Sequence, residues 1–500
     1  MYSSLHSLIL LLSCLHYVQG ERILGAYIFQ RHGDRTAKAN PPTLLTVLGY
    51  NEVFITGSYF RRRYLSSSSS LQISGISEHI VNLSHITASA PADTVIRNSA
   101  TGWLQGLYPP VGTAIETLRD GSIVNSPMNG YQLIPISSVS NAGGGNSENS
   151  AWLQSTSRCD RAMSSSSSYL QSSKYESLFN STTDFYQSLS PVLSSTFNSS
   201  QMSYENAYTI WDYLNVAMIH NSSSNFPSAG LVTDDVKQKL RLLASIHEFD
   251  LAYNSSEQIR AVAGAILAGE VLSALNETVT SDSSSKLHVQ FGAYGTFLSY
   301  FGLTELPFAD SDFYGLPDYA SSMVWELVTN STDESFPATS EISVRFLFHN
   351  GTLDGSIDPV AFPLFGQSST LLSWSDFVNY TKNFAILSQD QWCQECGNTT
   401  GICANTVTTP DGKSDSSAST STSHRRNPLS LSVAGVIGAM VTLGLIASFG
   451  ALSLLFNKLR LSSKQAGTSE PAQNFPALPR ISEEFRKLDP IRLDWRHPRA

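Results

Sequence analysis

Residues 24–35, Leu-Gly-Ala-Tyr-Ile-Phe-Gln-Arg-His-Gly-Asp-Arg, constrain the fold of this chain more than any other stretch. The apolar run from Ala26 to Phe29 reads as a strand, and it ends abruptly in Arg31, His32, Gly33, Asp34 and Arg35. In open α/β sheets, ligands collect at the carboxyl ends of strands, where this strand delivers its charges.

The chemistry of that loop suits an anion. Two arginines supply the forked cationic donors that the oxygens of a phosphate monoester require. His32 lies between them, and a neutral imidazole attacks phosphorus to give a covalent phosphohistidine that water later resolves. Gly33 is expected to let the backbone turn tightly against the bound anion. Asp34 reads as an exposed loop carboxylate that could stand in as a proton donor.

The ends of the chain speak to location. Residues 1–20 carry an apolar core from Leu8 to Leu15 and a cleavage position near Gly20, the pattern of a secretory signal peptide. Ten Asn-x-Ser/Thr sequons follow, at Asn82, Asn180, Asn198, Asn221, Asn254, Asn276, Asn330, Asn350, Asn379 and Asn398, so N-glycans are expected. A second apolar segment, 429–456, has no charge and is long enough to span a bilayer. A Ser/Thr-rich stalk (408–428) precedes it, and a basic, proline-containing tail (457–500), read as disordered and cytosolic, follows. The expected topology is a type I single-pass protein of the cell surface or of a vacuolar or endomembrane lumen.

Charge narrows the partners. The tail holds nine Lys/Arg against five Asp/Glu, so it is +4 and the rest of the chain is −14 within a total of −10. An acidic exterior is a poor surface for nucleic acid, and any affinity for phosphate must come from the local arginines. Cys14 leaves with the signal, while Cys159, Cys393, Cys396 and Cys403 remain as an even set in an oxidising compartment. Cys393-x-x-Cys396 alone would also suit zinc or a redox pair, but no second such pair exists in the sequence. Two disulfides are expected, with three possible pairings. No cofactor or metal is implied.

Beyond Arg35, Leu45-Thr46-Val47-Leu48-Gly49 and Gly57-Ser58-Tyr59-Phe60-Arg61-Arg62-Arg63-Tyr64 extend the pattern. Together with Arg-His-Gly-Asp-Arg they resemble the histidine acid phosphatases, a branch of the histidine phosphatase superfamily that includes phytases. The resemblance covers roughly residues 23 to 405. It implies an α/β sandwich of the phosphoglycerate-mutase type with an inserted helical cap, placed at about 125–285 within an ectodomain of 21–407. Glu257 to Leu275 is the clearest helix of that cap, from its apolar stripe. Pro317 to Leu327 and Val344 to Gly351 resemble the strands that close the sheet, and Glu326 and Arg345 read as structural charges there.

The resemblance also marks two departures. Active members end a strand in Ser/Gly-Ala-His-Asp-Thr, whose His contacts phosphate and whose Asp protonates the leaving oxygen. Here Leu287 to Phe291 is the strand, and those positions read Tyr294 and Gly295. His288, inside the strand, reads as structural. The second departure concerns a distal arginine: alignment on Ser99-Ala100 and Gly106-Leu107-Tyr108-Pro109-Pro110 puts Val95 at its position. Arg97 lies two residues late, about 200° around a helix, and would bind phosphate only if the chain shifts locally. The expected function is therefore a phosphomonoester hydrolase with His32 as nucleophile and weak or displaced protonation. The alternative is a catalytically impaired relative that binds phosphate or a phosphorylated ligand.

Overall fold

The computed structural model describes residues 20–139, 158–221, 229–281, 285–333 and 335–404. The signal peptide, stalk, membrane span and tail read from the sequence lie outside them.

Strand β1 (Arg22–Arg31) is buried along almost its whole length, as its unbroken apolar run requires of a strand covered on both faces. It is central to a mixed sheet that also contains β2 (Ile86–Pro91), β5 (Ser137–Val139), β6 (Leu287–Gly292), β7 (Ser322–Thr329), β8 (Ile342–His349) and β10 (Leu371–Ser373), while β3 (Ile115–Thr117) and β4 (Ile123–Asn125) form a separate hairpin. The spatial order is β10-β8-β7-β1-β6-β2-β5, with β9 (Val360–Ala361) paired to β8. β1, β6, β2 and β5 run parallel, whereas β7 is antiparallel to β1. The expected strands at 287–291 and 344–351 overlap β6 and β8, whereas the one expected at 317–327 begins only at Ser322 as β7, and 317–321 is the turn that leads into it.

The two faces of β1 pack against different layers. Ala26 and Ile28 share a core with Val53 and Phe60 of α1 (Val47–Phe60) and with Trp103 and Leu107 of α2 (Thr94–Leu107). These helices cross with almost no separation. A Cβ on Gly57 would fall 2.0 Å from the Trp103 carbonyl oxygen, and one on Gly106 would fall 2.1 Å from that of Phe54. On the other face, Phe29 meets Phe297 of α8 (Tyr294–Leu303) at 5.1 Å between ring centroids, and Tyr27 meets Trp325 at 5.9 Å.

Between β5 and β6 the chain forms α3 (Asp160–Tyr169), α4 (Ser173–Ser188), α5 (Ala207–His220), α6 (Asp234–Ala252) and α7 (Val262–Thr280). Two parts of the expected cap stretch sit elsewhere. β5 pairs with β2 in the main sheet, and α7 lies against β1, where Thr278 and the Lys286 carbonyl would each be 2.8 Å from a Cβ on Gly25. The small residues of α7 explain its place, since Gly264 lets it approach the Ser299–Tyr300 backbone of α8. With the turn before it, this helix (Gln258–Thr280) is long and apolar enough to cross a membrane, but most of its apolar stretch is buried inside the protein.

Helices α9 (Trp374–Lys382) and α10 (Gln389–Cys396) are followed by a 3-10 turn at Gly401–Cys403, and both cysteine pairs are bonded: Cys159 to Cys396 and Cys393 to Cys403. These four sulfurs lie in a second apolar core with Val262, Ile266 and Trp392. None of the ten sequon asparagines is buried.

Candidate active site

The site is built where β1 and β6 end side by side. Arg31 is opposite Gly292 in the parallel register, so the loop after β1 and the start of α8 emerge together. α8 begins two residues after Gly292, and its first-turn N–H groups give this edge a partial positive charge suited to an anion.

Arg31, His32, Asp34 and Arg35 are all essentially buried. The Arg31 guanidinium donates to the Pro317 carbonyl and lies 4.6 Å from the ring centre of Tyr319 and 5.7 Å from that of Tyr294. His32 is fixed by a 2.8 Å hydrogen bond between Nδ1 and the Gly33 carbonyl. A carbonyl only accepts, so Nδ1 carries the proton and the lone pair of the neutral ring belongs to Nε2.

Gly33 has a different reason from the one its position suggests. It is not among the glycines with positive φ; instead a Cβ there would fall 2.1 Å from the Gly49 carbonyl oxygen. The loop needs glycine because α1 crosses directly against it. Thr46 caps α1, accepting from Gly49 N, and the Gly33 amide donates to Ser99 Oγ of α2 at 3.2 Å.

Asp34 is not exposed. Its Oδ2 is 2.6 Å from His220 Nε2 and also accepts from Thr46, while its amide donates to Glu52 at 2.7 Å. This carboxylate ties the loop to the start of α1 and the end of α5. Burial, first of all, pushes the Glu52 carboxyl up to about 7, with the nearby Asp34 charge adding to the rise.

Arg35 meets a carboxylate that the sequence did not single out. Its Nη1 is 3.0 Å from Oδ1 and 3.1 Å from Oδ2 of Asp212, with both side chains fully buried, and its Nη2 donates to Tyr208 Oη at 3.1 Å. Asp212 also accepts from the Lys38 amide at 2.8 Å and sits 3.4 Å from Tyr319 Oη. Lys38 Nζ lies over the rings of Tyr208 and Tyr294, at 5.1 and 5.4 Å from their centres.

Tyr294 and Gly295 open α8 at the same edge. The Tyr294 hydroxyl donates to Glu248 Oε2 of α6 at 2.7 Å, and its ring packs 4.6 Å from that of Tyr208. Burial works to raise the Glu248 carboxyl, but His247, Tyr294 and Lys38 together hold it below the usual carboxylate value. Gly295 has no side chain to protonate a leaving group.

Other expected residues lie apart from these contacts. Arg97 is exposed on α2, whereas Val95 and Ser99 are buried on the face that meets the loop. His288 is enclosed in β6, with its ring nitrogens near Thr87 at 2.9 Å and Thr278 and Ser285 at 3.3 Å, and burial lowers its pKa to about 4. Glu326 is fully buried between Arg63 and Arg345 and accepts from Tyr64 at 2.6 Å, a framework charge cluster on β7.

The residues that sequence reasoning missed are Lys38, Tyr208, Asp212, His220, Glu248 and Tyr319. The signal available was faint: Asp212 is the sole carboxylate in the apolar helix Ala-Tyr-Thr-Ile-Trp-Asp-Tyr-Leu-Asn-Val-Ala-Met-Ile-His.

No curated protein matches the chain. Solved structures similar to it include a phytase from Hafnia alvei, 12% identical with a TM-score of 0.48 over 75% of this chain and 98% of that one. A phytase from Citrobacter braakii is 14% identical with a TM-score of 0.48, over 75% and 99% of the two chains. A multiple inositol polyphosphate phosphatase from Bifidobacterium longum is 11% identical with a TM-score of 0.45, over 74% and 94%. The sequence profile of the histidine phosphatase superfamily (branch 2) matches residues 40–349, more than half of the chain. The chain belongs to the histidine phosphatase superfamily, branch 2.

Proposed function

We propose that this protein hydrolyses phosphomonoesters, with His32 Nε2 as the nucleophile and Arg31, Arg35 and the α8 N-terminus binding the phosphoryl oxygens. The observation that carries this reading is the Nδ1 contact of His32 with the Gly33 carbonyl, which leaves the Nε2 lone pair for phosphorus. The Nε2–P bond forms as the P–O ester bond breaks, and the leaving oxygen takes a proton. Water then attacks phosphorus, and the electron pair of the P–N bond returns to Nε2. Tyr294–Gly295 supplies no carboxylic acid, so alkyl esters are poorer substrates than aryl esters unless another group donates.

The catalytic unit is carried outside the membrane on the single span read at 429–456, with glycans on the exposed sequons. Disulfides buried in the second core support an oxidising compartment.

The test is phosphate release from p-nitrophenyl phosphate by the full-length protein in detergent between pH 4 and 7, beside His32→Ala. Turnover that disappears in the variant supports the reading, and turnover that persists overturns it. A second reading, a phosphate binder without turnover, is favoured by the lost acid and by Asp212 already neutralising Arg35. Phosphate-dependent stabilisation with no product in either protein would select it.

A further inference from the structure

We propose that Asp212 donates the proton to the leaving oxygen, replacing the acid absent at Gly295. This rests on His32 being the phosphoryl acceptor.

The geometry separates the nearby carboxylates. Asp34 and Glu52 sit under the loop, committed to Thr46, His220 and the Asp34 amide. Glu248 already receives the Tyr294 hydroxyl and the ring of His247 at 2.8 Å. Asp212 is engaged too, by Arg35 through both oxygens and by the Lys38 amide, but its charged partner is the arginine placed on the phosphate, and it lies 3.4 Å from the hydroxyl of Tyr319, whose ring is 5.6 Å from that of His32. It is delivered from α5, outside the sheet, so it does not depend on the β6–α8 turn that lost the family acid.

Proton supply follows from competition for one donor. When a phosphoryl oxygen takes Arg35 Nη1, Asp212 remains buried beside a second anion. A substrate entering as its monoanion brings a proton to this contact, and Asp212 receives it. As the Nε2–P bond forms and the P–O bond breaks, the electron pair goes to the ester oxygen, which takes the proton from Asp212 and departs as the alcohol. Asp212 is then a carboxylate, accepts a proton from the water that attacks the phosphohistidine, returns it to the departing phosphate, and pairs again with Arg35 as a carboxylate.

A purely positioning role would make Asp212 hold Arg35 in place, and the two roles differ in leaving-group dependence. The experiment compares full-length wild type, His32→Ala, Asp212→Asn, Asp212→Glu and Glu248→Gln on p-nitrophenyl phosphate and on 2-glycerophosphate. Asp212→Asn is expected to lower kcat on the alkyl ester by about 10²- to 10³-fold and on the aryl ester by less than about 5-fold. Asp212→Glu, which keeps an acid, should recover part of the alkyl rate and guards against loss through misfolding. Equal losses on both esters, or a rise in KM alone, would make Asp212 a positioning residue and overturn the proposal while His32-dependent aryl turnover stands. A selective alkyl loss in Glu248→Gln, with Asp212→Asn like wild type, would also overturn it. Aryl turnover that is absent or insensitive to His32→Ala would remove the hydrolase reading and this proposal together.

Discussion

Gly33 and Gly49 meet backbone to backbone: a Cβ on Gly49 would fall 2.0 Å from the Asp34 carbonyl oxygen, and one on Gly33 would fall 2.1 Å from that of Gly49. Neither obstacle is a flexible side chain, so the histidine loop and the first turn of α1 would have to separate. Gly49→Ala is expected to cost about 3 kcal/mol or more, at the upper end of overpacking effects. It should also reduce His32-dependent turnover. Urea unfolding monitored by tryptophan fluorescence, run beside the p-nitrophenyl phosphate assay, checks both effects.

Glu326 balances two arginines inside the sheet. Its Oε1 accepts from Arg63 and Tyr64 and its Oε2 from Arg345, with the Glu side chain fully buried. Glu326→Ala strands the cationic partners and should destabilise the protein by roughly 3–5 kcal/mol, as removal of one member of a buried pair does. Equilibrium denaturation should show this as a large fall in midpoint.

A buried histidine and a half-buried glutamate give opposite pH dependences of stability. The pKa of His288 is depressed to about 4 against 6.5, so its stabilising contribution is complete above pH 6.5 and is lost as pH falls towards 4. That contribution is up to about 3 kcal/mol. Glu52 is raised to about 7 against 4.5, so its contribution is complete below pH 4.5 and is lost as pH rises through 7. Between pH 4.5 and 6.5 the two offset one another. Glu52→Gln should therefore make stability climb more steeply with pH than in wild type, and His288→Gln should make it fall. Melting temperatures over pH 4 to 8 for the three proteins decide this.

Arg31 and Arg35 differ from Arg97 in burial. Arg31 and Arg35 are about fully buried at the loop, whereas Arg97 is exposed on α2. Inhibition by inorganic phosphate should weaken by at least about tenfold in Arg31→Ala, the loss of a charge-assisted contact, and stay within about twofold in Arg97→Ala. A comparable loss in Arg97→Ala would place that side chain in the site.

Much of this was legible because it is local. The step from an apolar run to Arg31 and His32 marks the end of β1, and the run 287–291 marks β6, so the sheet edge and the place of Tyr294 and Gly295 beside it follow from short stretches of sequence. What was not legible depends on contacts between distant segments. Arg35 and Asp212 are 177 positions apart, and nothing in the composition of α5 says which of its faces meets the loop. Asp34 misled for the same reason: a charged residue beside glycine looks solvated until Thr46 and His220 close over it. α7 misled in a different way, because its apolar stripe fits a cap helix as well as a sheet-covering one. Its small residues, Gly264 among them, carried the distinction.

The bond between Cys159 and Cys396 joins residues 237 positions apart in sequence, from the start of α3 to the end of α10. A protease that cuts once anywhere between those cysteines produces two fragments that still migrate as one particle on a gel without reductant. Clipping of the α5–α6 connection, next to the helix that carries Asp212, would leave apparent mass unchanged until a thiol is added. Samples of this protein therefore have to be judged intact under reducing conditions, since a nicked and an unbroken chain are otherwise indistinguishable by size.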